Sequence, residues 1–187
     1  MAEDTAFVEL PDVPPQARAA AIEAALTQDA DFAARLCRGA SASVADAPSD
    51  ADTARTFQAL LEIGYLVASA DGLAEQERAS LAALLEAVTG SAVDHGTLTL
   101  HFMDLDEAVE ALGRRERLAR VAADLGDTSA VEEAVRLGAL VAMGDGTLSG
   151  AELAVLVELG EHGKVAADRI CELVTAAANS VKGRLAL

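Results

Sequence analysis

The chain has 187 residues, enough for one substantial domain that buries about 70% of its extended-chain surface, and no second domain is required. Its formal charge is -17, with 31 acidic against 14 basic residues, so it repels phosphate backbones and nucleic acid is excluded as an expected partner. Hydrophobic residues reach 52% while aromatics stop at 3% and Trp is absent. A core made of Ala, Leu and Val favours close-packed helices over sheets, which predicts an all-α fold.

Met1 to Asp12 is acidic where an export signal needs a basic start and an apolar run. No apolar segment reaches the ~18 residues of a bilayer span, so the expectation is a cytoplasmic protein with no membrane insertion. Pro14 and Pro15 suit the first turn of a helix that runs through Thr27. A second short helix is predicted over 29–38, stopping before Gly39. The Ala-, Ser-, Asp- and Pro-rich stretch 39–52 lacks periodicity and reads as a loop. It divides the chain into an N-terminal helical extension with its linker, residues 1–51, and a helical domain, residues 52–187.

A long helix follows over 52–70, its second half apolar nearly all round and therefore buried. Leu81, Leu84, Leu85 and Val88 carry helical spacing within a predicted helix from Glu75 to Val88. Residues 89–103 read as a loop with an extended piece, and Asp104 with Glu107 as the start signal of a helix that Gly113 ends. The next helix covers 114–125, with Arg114, Arg115, Arg117 and Arg120 on a solvated face diluted by Glu116. Ser129 with Glu132 and Ser149 with Glu152 form capping-box patterns for helices to Met143 and from Gly150 to Leu159, and a last helix covers 165–182. No strand is predicted. Cys37 and Cys171, lacking CxxC spacing, read as buried reduced thiols.

The stretch "VAMGDGTLSGAEL" from Val141 matches the back of a calcium loop: Asp145, Gly146, Thr147, Leu148 and Ser149, then Glu152 at the last ligand position. In that register Val141 and Met143 fall where the first carboxylate ligands belong, and neither binds a hard cation. The same pattern occurs earlier. Gly64, Leu66, Val67, Ala68, Asp71 and Gly72 align with Gly138, Leu140, Val141, Ala142, Asp145 and Gly146, and Glu77, Leu81 and Leu84 with Glu152, Leu156 and Leu159 after a one-residue insertion. The unit is therefore helix, Asp-Gly turn, helix, with Ser149 and Glu152 as a cap. Gly64 and Gly138 stand at the same point of each unit and predict a close helix crossing.

An Ala- and Val-rich helix, an Ala-Asp-Gly turn and an acidic start to an amphipathic helix, repeated about seventy residues later, resemble the TerB-like (tellurite-resistance protein B) family. The carriers are "VASADGLAEQE" and "VAMGDGTLSGAE", and the resemblance covers 52–187. It implies an all-helical multi-helix bundle built from paired units and linked to metal-oxyanion and other stress responses, without a mappable catalytic mechanism. Under that resemblance Asp71, Glu75, Glu77, Asp145 and Glu152 form an acidic surface that holds a divalent cation weakly. No other cofactor is implied. Ala74 stands where Ser149 stands in the second unit, a departure that argues against two equivalent metal sites. The alternative is a helical interaction module, binding a protein partner or a second copy, whose acidic groups only cap and solubilise.

His95, His101 and His162 lack zinc-ligand spacing, and the chain carries no GxSxG, GxGxxG or Walker-type loop. With no nucleophile, base and orienter set in view, the expectation is a non-enzyme.

Overall fold

The computed structural model describes residues 6–43, 51–72, 81–86, 89 and 92–186. A short strand β1 (Val8–Glu9) precedes α1 (Pro15–Leu26), α2 (Ala30–Ser43) and α3 (Ala51–Ala68). Residues 81–86 are helical. Then come α4 (His95–Leu112), α5 (Arg114–Leu125), α6 (Thr128–Ala142), strand β2 (Thr147–Leu148), α7 (Gly150–His162) and α8 (Ala167–Leu185). The all-α expectation holds for the body of the protein. It missed the strand pair, in which Val8 lies opposite Leu148 and Glu9 opposite Thr147, antiparallel.

Helix α3 is the hub. Every residue from Ala59 to Val67 is buried, because Ala, Leu, Ile and Val occupy most of this stretch and five helices, α2, α4, α5, α6 and α7, contact α3. Helix α8 lies on α6 and α1, and α1 also touches α6. Ile22, Leu26, Phe32 and Leu36 from the first two helices share one hydrophobic core with Leu66, Val135, Leu156 and Val174. Among the described residues no helix is long and apolar enough to cross a membrane.

Several predicted boundaries moved, each for a local reason. The loop expected at 39–52 begins later, since α2 runs on to Ser43, and α3 starts already at Ala51. Gly39 does not stop α2. A Cβ there would lie 2.5 Å from Cβ of Phe57, so the glycine admits α3 to close range. The expected loop at 89–103 contains the N-terminal half of α4. Asp94 caps that helix by accepting from the Thr97 backbone N–H, and Leu98, Phe102 and Leu105 form its buried face. Asp104 and Glu107 are consequently interior to a helix rather than its start. Gly113, at φ 82°, does separate α4 from α5 as expected. The cap of α6 is Asp127, which accepts from the Ala130 N–H, and not Ser129; Glu132 instead pairs with Arg169 at 2.8 Å.

Gly64 and Gly138 both lie in the contact between α3 and α6. A Cβ on Gly138 would meet Leu156 at 2.9 Å and Ile63 and Val67 at 3.2 Å, while one on Gly64 would meet Val141 at 3.7 Å. The contacts are reciprocal, because Val67 follows Gly64 by three residues and Val141 follows Gly138 by three.

Candidate functional site

The second Asp-Gly turn links α6 to α7. Its apolar front residues are core: Met143 is fully buried and Val141 nearly so, which explains why a stretch with the back of a calcium loop lacks the front. Gly146 adopts φ 113°, a conformation that side chains other than hydrogen rarely tolerate. Asp145 Oδ1 accepts from the backbone N–H of Thr147 at 2.8 Å and from its hydroxyl at 3.1 Å, so this carboxylate shapes the turn. The chain then leaves as β2 and enters α7 through the capping box read from the sequence. The Ser149 N–H donates to Glu152 Oε2 at 2.8 Å, and the Glu152 N–H donates to Ser149 Oγ at 3.2 Å.

Capping places Glu152 inside the protein, 8% exposed. Burial pushes its carboxyl up to about 7; the two hydrogen bonds from Ser149 oppose this, and the negative charges of Asp145 and Asp71 reinforce it. The two aspartates come from different turns, so the structure brings both turns into the electrostatic range of one buried acid.

The first turn, at Asp71 and Gly72, is exposed. Gly72 repeats the positive φ, at 106°. Arg114 donates to the carbonyls of Ser69 at 2.7 Å and Ala70 at 3.1 Å, satisfying the end of α3 where its dipole is negative. Glu75 and Glu77 lie outside the described residues. Among the described residues no three His, Cys, Asp or Glu side chains converge closely enough to hold a metal ion. Asp71, Asp145 and Glu152 are coupled through their charges without forming a ligand cage.

Two features of this region were missed in the sequence. Arg18, on α1, lays its guanidinium against the second turn. It donates to the Gly144 carbonyl at 3.3 Å, and its Cζ lies 3.0 Å from where a Cβ on Gly146 would stand. Residues 7–10 hold the same turn from the strand side, with the Phe7 N–H on Leu148 O and the Leu10 N–H on Gly146 O, both 2.8 Å. Nothing local signals a partner more than a hundred residues distant. The second feature corrects the solvated-face reading of the α5 arginines. Arg117 forms a two-pronged pair with the buried Glu62, both bonds 2.6 Å, and Arg114 is tied down as described. Here a signal existed: Glu62 is the lone charge in the apolar half of α3, and a buried carboxylate requires a partner.

Among the described residues the imidazoles join no metal-holding group of three His, Cys, Asp or Glu side chains. His95 is exposed at the start of α4 and His162 ends α7. His101 faces Glu62, Asp104 and Arg117, and burial lowers its pKa. Comparison with protein-family models, with curated proteins and with solved structures returns no match.

Proposed function

We propose that this chain is a non-catalytic, TerB-like helical module whose Asp-Gly turns form one acidic surface, responsive to protons and weakly to divalent cations. The resemblance links such a module to tellurite, metal and stress responses in the cytoplasm, a setting that suits Cys37 and Cys171, which carry thiols and not a disulfide. The reciprocal contacts of Gly64 with Val141 and of Gly138 with Val67 support the reading of two related helix-turn-helix units packed on each other. The observation that carries the proposal is Glu152, buried by its capping role and thereby raised, with Asp145 of its own turn and Asp71 of the other adding smaller pushes in the same direction.

Calorimetric titration with calcium, magnesium and manganese tests the cation part. Binding no tighter than about millimolar is expected, since calcium takes six to eight oxygens and the turn presents far fewer. Micromolar affinity abolished by Asp145→Ala would make metal binding the principal role. No heat and an unchanged melting temperature would reduce the turns to capping devices.

A second reading, a module that binds a protein partner or its own copy, is favoured by α4, where Leu100 and Met103 are 65% and 55% exposed one helical turn apart. Sedimentation velocity decides it: a dimer insensitive to chelators and dispersed by Leu100→Asp supports this reading over the first.

A further inference from the structure

Helix α4 is held to the bundle by a narrow face. Of its 18 residues Leu98, Phe102 and Leu105 are buried, whereas the 15-residue α6 buries nine, Val131, Ala134, Val135 and every residue from Leu137 to Ala142. It lies against α3 and α5, and a single residue, Gly113 at φ 82°, joins it to α5. On α3 its anchor is Tyr65, whose ring stacks on Phe102 with centroids 5.3 Å apart and whose hydroxyl donates to Asp106.

His101 stands beside that anchor, half-buried, where α4 meets the ion pair of Glu62 and Arg117. Its Nε2 is enclosed and finds no hydrogen-bond partner among the described residues. An enclosed ring nitrogen without a partner is costly in either protonation state, and charging the ring adds the cost of a buried cation. The charges that face it pull in both directions. Glu62 on α3 and Asp104 on α4 attract an imidazolium, and Arg117 on α5 repels it. Both Glu62 oxygens already accept from Arg117, each at 2.6 Å, and Asp104 is exposed to water.

Burial is the strongest influence and holds His101 below the ordinary histidine value of 6.5. The docked helix therefore favours the neutral ring, while a helix lifted into water favours the charged one. The contribution of His101 to docking is complete above pH 6.5 and is lost as pH falls below it. Glu152 acts in the opposite sense, because its proton is held more tightly in the folded state.

We propose that His101 is a proton-sensitive latch on α4: neutral, it lets the helix lie on the Glu62–Arg117 pair, and protonated, it loosens the helix about Gly113 and uncovers Phe102 and Leu105. The response is graded, since one proton falls short of the roughly 10⁴-fold preference that a complete switch requires. Native-state amide exchange on the full chain reads it, as the ratio of α4 opening to α6 opening at about pH 8 and about pH 5, a ratio in which the intrinsic pH dependence of exchange cancels. In a Glu152→Gln background, which removes the opposing titration, acidification is expected to raise that ratio at least about threefold. His101→Gln, neutral at both pH values, is expected to hold it constant. A rise that survives His101→Gln would belong to the carboxylates and overturn the proposal, as would a ratio that does not move when His101 is present. Should His101→Gln fail to fold, NMR titration of the His101 ring in the parent chain decides: a midpoint below 6.5 supports the latch, and one at or above 6.5 overturns it.

Discussion

The turns at Asp71-Gly72 and Asp145-Gly146 have the same two residues and the same backbone state, with glycine φ of 106° and 113°. Their surroundings are opposite. Among the described residues nothing comes within 4 Å of a Cβ placed on Gly72, whereas Gly146 is covered by the Arg18 guanidinium and flanked by β1. Short-range sequence thus determines the shape of each turn, but a segment far away in the chain determines which turn is covered and what charge faces it. Arg18 sets a fixed cation beside the turn that most resembles a calcium loop. The first turn keeps an exposed aspartate and has Arg114 behind it, on the helix end rather than on the glycine.

The largest expected effect tests that difference directly. Gly72→Ala and Gly146→Ala both force a side chain into a positive-φ conformation, at a cost of roughly 1–3 kcal/mol. Gly146→Ala adds the clash with Arg18, whose Cζ and Nη2 would stand 3.0 and 3.1 Å from the new methyl group. We expect it to cost about 1 kcal/mol more than Gly72→Ala in urea denaturation, a difference in line with modest overpacking. In an Arg18→Ala background the two glycine variants are expected to converge. Persistence of the full difference without Arg18 would show that the arginine is not what separates the turns.

Glu152 gives the next effect and depends on pH. Its folded pKa, about 7, lies above the ordinary glutamate value of 4.5, so the folded state holds this proton more tightly than the unfolded state does. The resulting stabilisation is complete below about pH 4.5 and is lost as pH rises through 7. Glu152→Gln keeps an acceptor for the Ser149 N–H and removes the buried charge. It is expected to stabilise the protein at pH 8 by roughly 1–3 kcal/mol relative to the parent, with almost no gain at pH 4. Thermal melts at the two pH values check it. Equal effects at both would place the ordinary glutamate pKa inside the fold. Asp71→Asn, from the other turn, is expected to shift the same transition downward by a smaller amount, and no shift would uncouple the two turns.

The legible part of this molecule was what periodicity and local capping encode. The apolar run of α3, the Gly113 break and the Ser149–Glu152 box could be read because their causes lie within a few residues, whereas Gly64 and Gly138 were found through their alignment, the atoms that face them lying on other helices. Gly39 was misread as a stop, since its reason is Phe57 on another helix. The start of α4 was missed because His95, Gly96, Thr97 and Thr99 are poor helix formers, and Asp94 with the packing of Leu98, Phe102 and Leu105 overrides them. Asp71, Asp145 and Glu152 could be singled out from the repeat, but the burial that gives Glu152 its proton affinity is tertiary. Arg18 left no trace in the sequence, because its partners are backbone atoms of a remote turn.

The smallest expected effects distinguish the helices that lead into the two turns. At Gly138 a methyl group would lie 2.9 Å from Leu156 and 3.2 Å from both Ile63 and Val67, all four positions being buried. Overpacking of this kind costs roughly 1–3 kcal/mol, and Ala recovers up to about 1 kcal/mol of helix propensity, so Gly138→Ala is expected to lose about 1 kcal/mol net. At Gly64 the nearest atoms stand at 3.7 and 4.0 Å, ordinary contact distances, and the propensity gain is left unopposed. Gly64→Ala is therefore expected to be neutral or to gain up to about 1 kcal/mol. The two alignable glycines, changed to the same residue, should move the denaturation midpoint in opposite directions. Equal losses at both sites would mean that α3 and α6 approach as closely at Gly64 as at Gly138, and that the second unit is not the more tightly packed of the two.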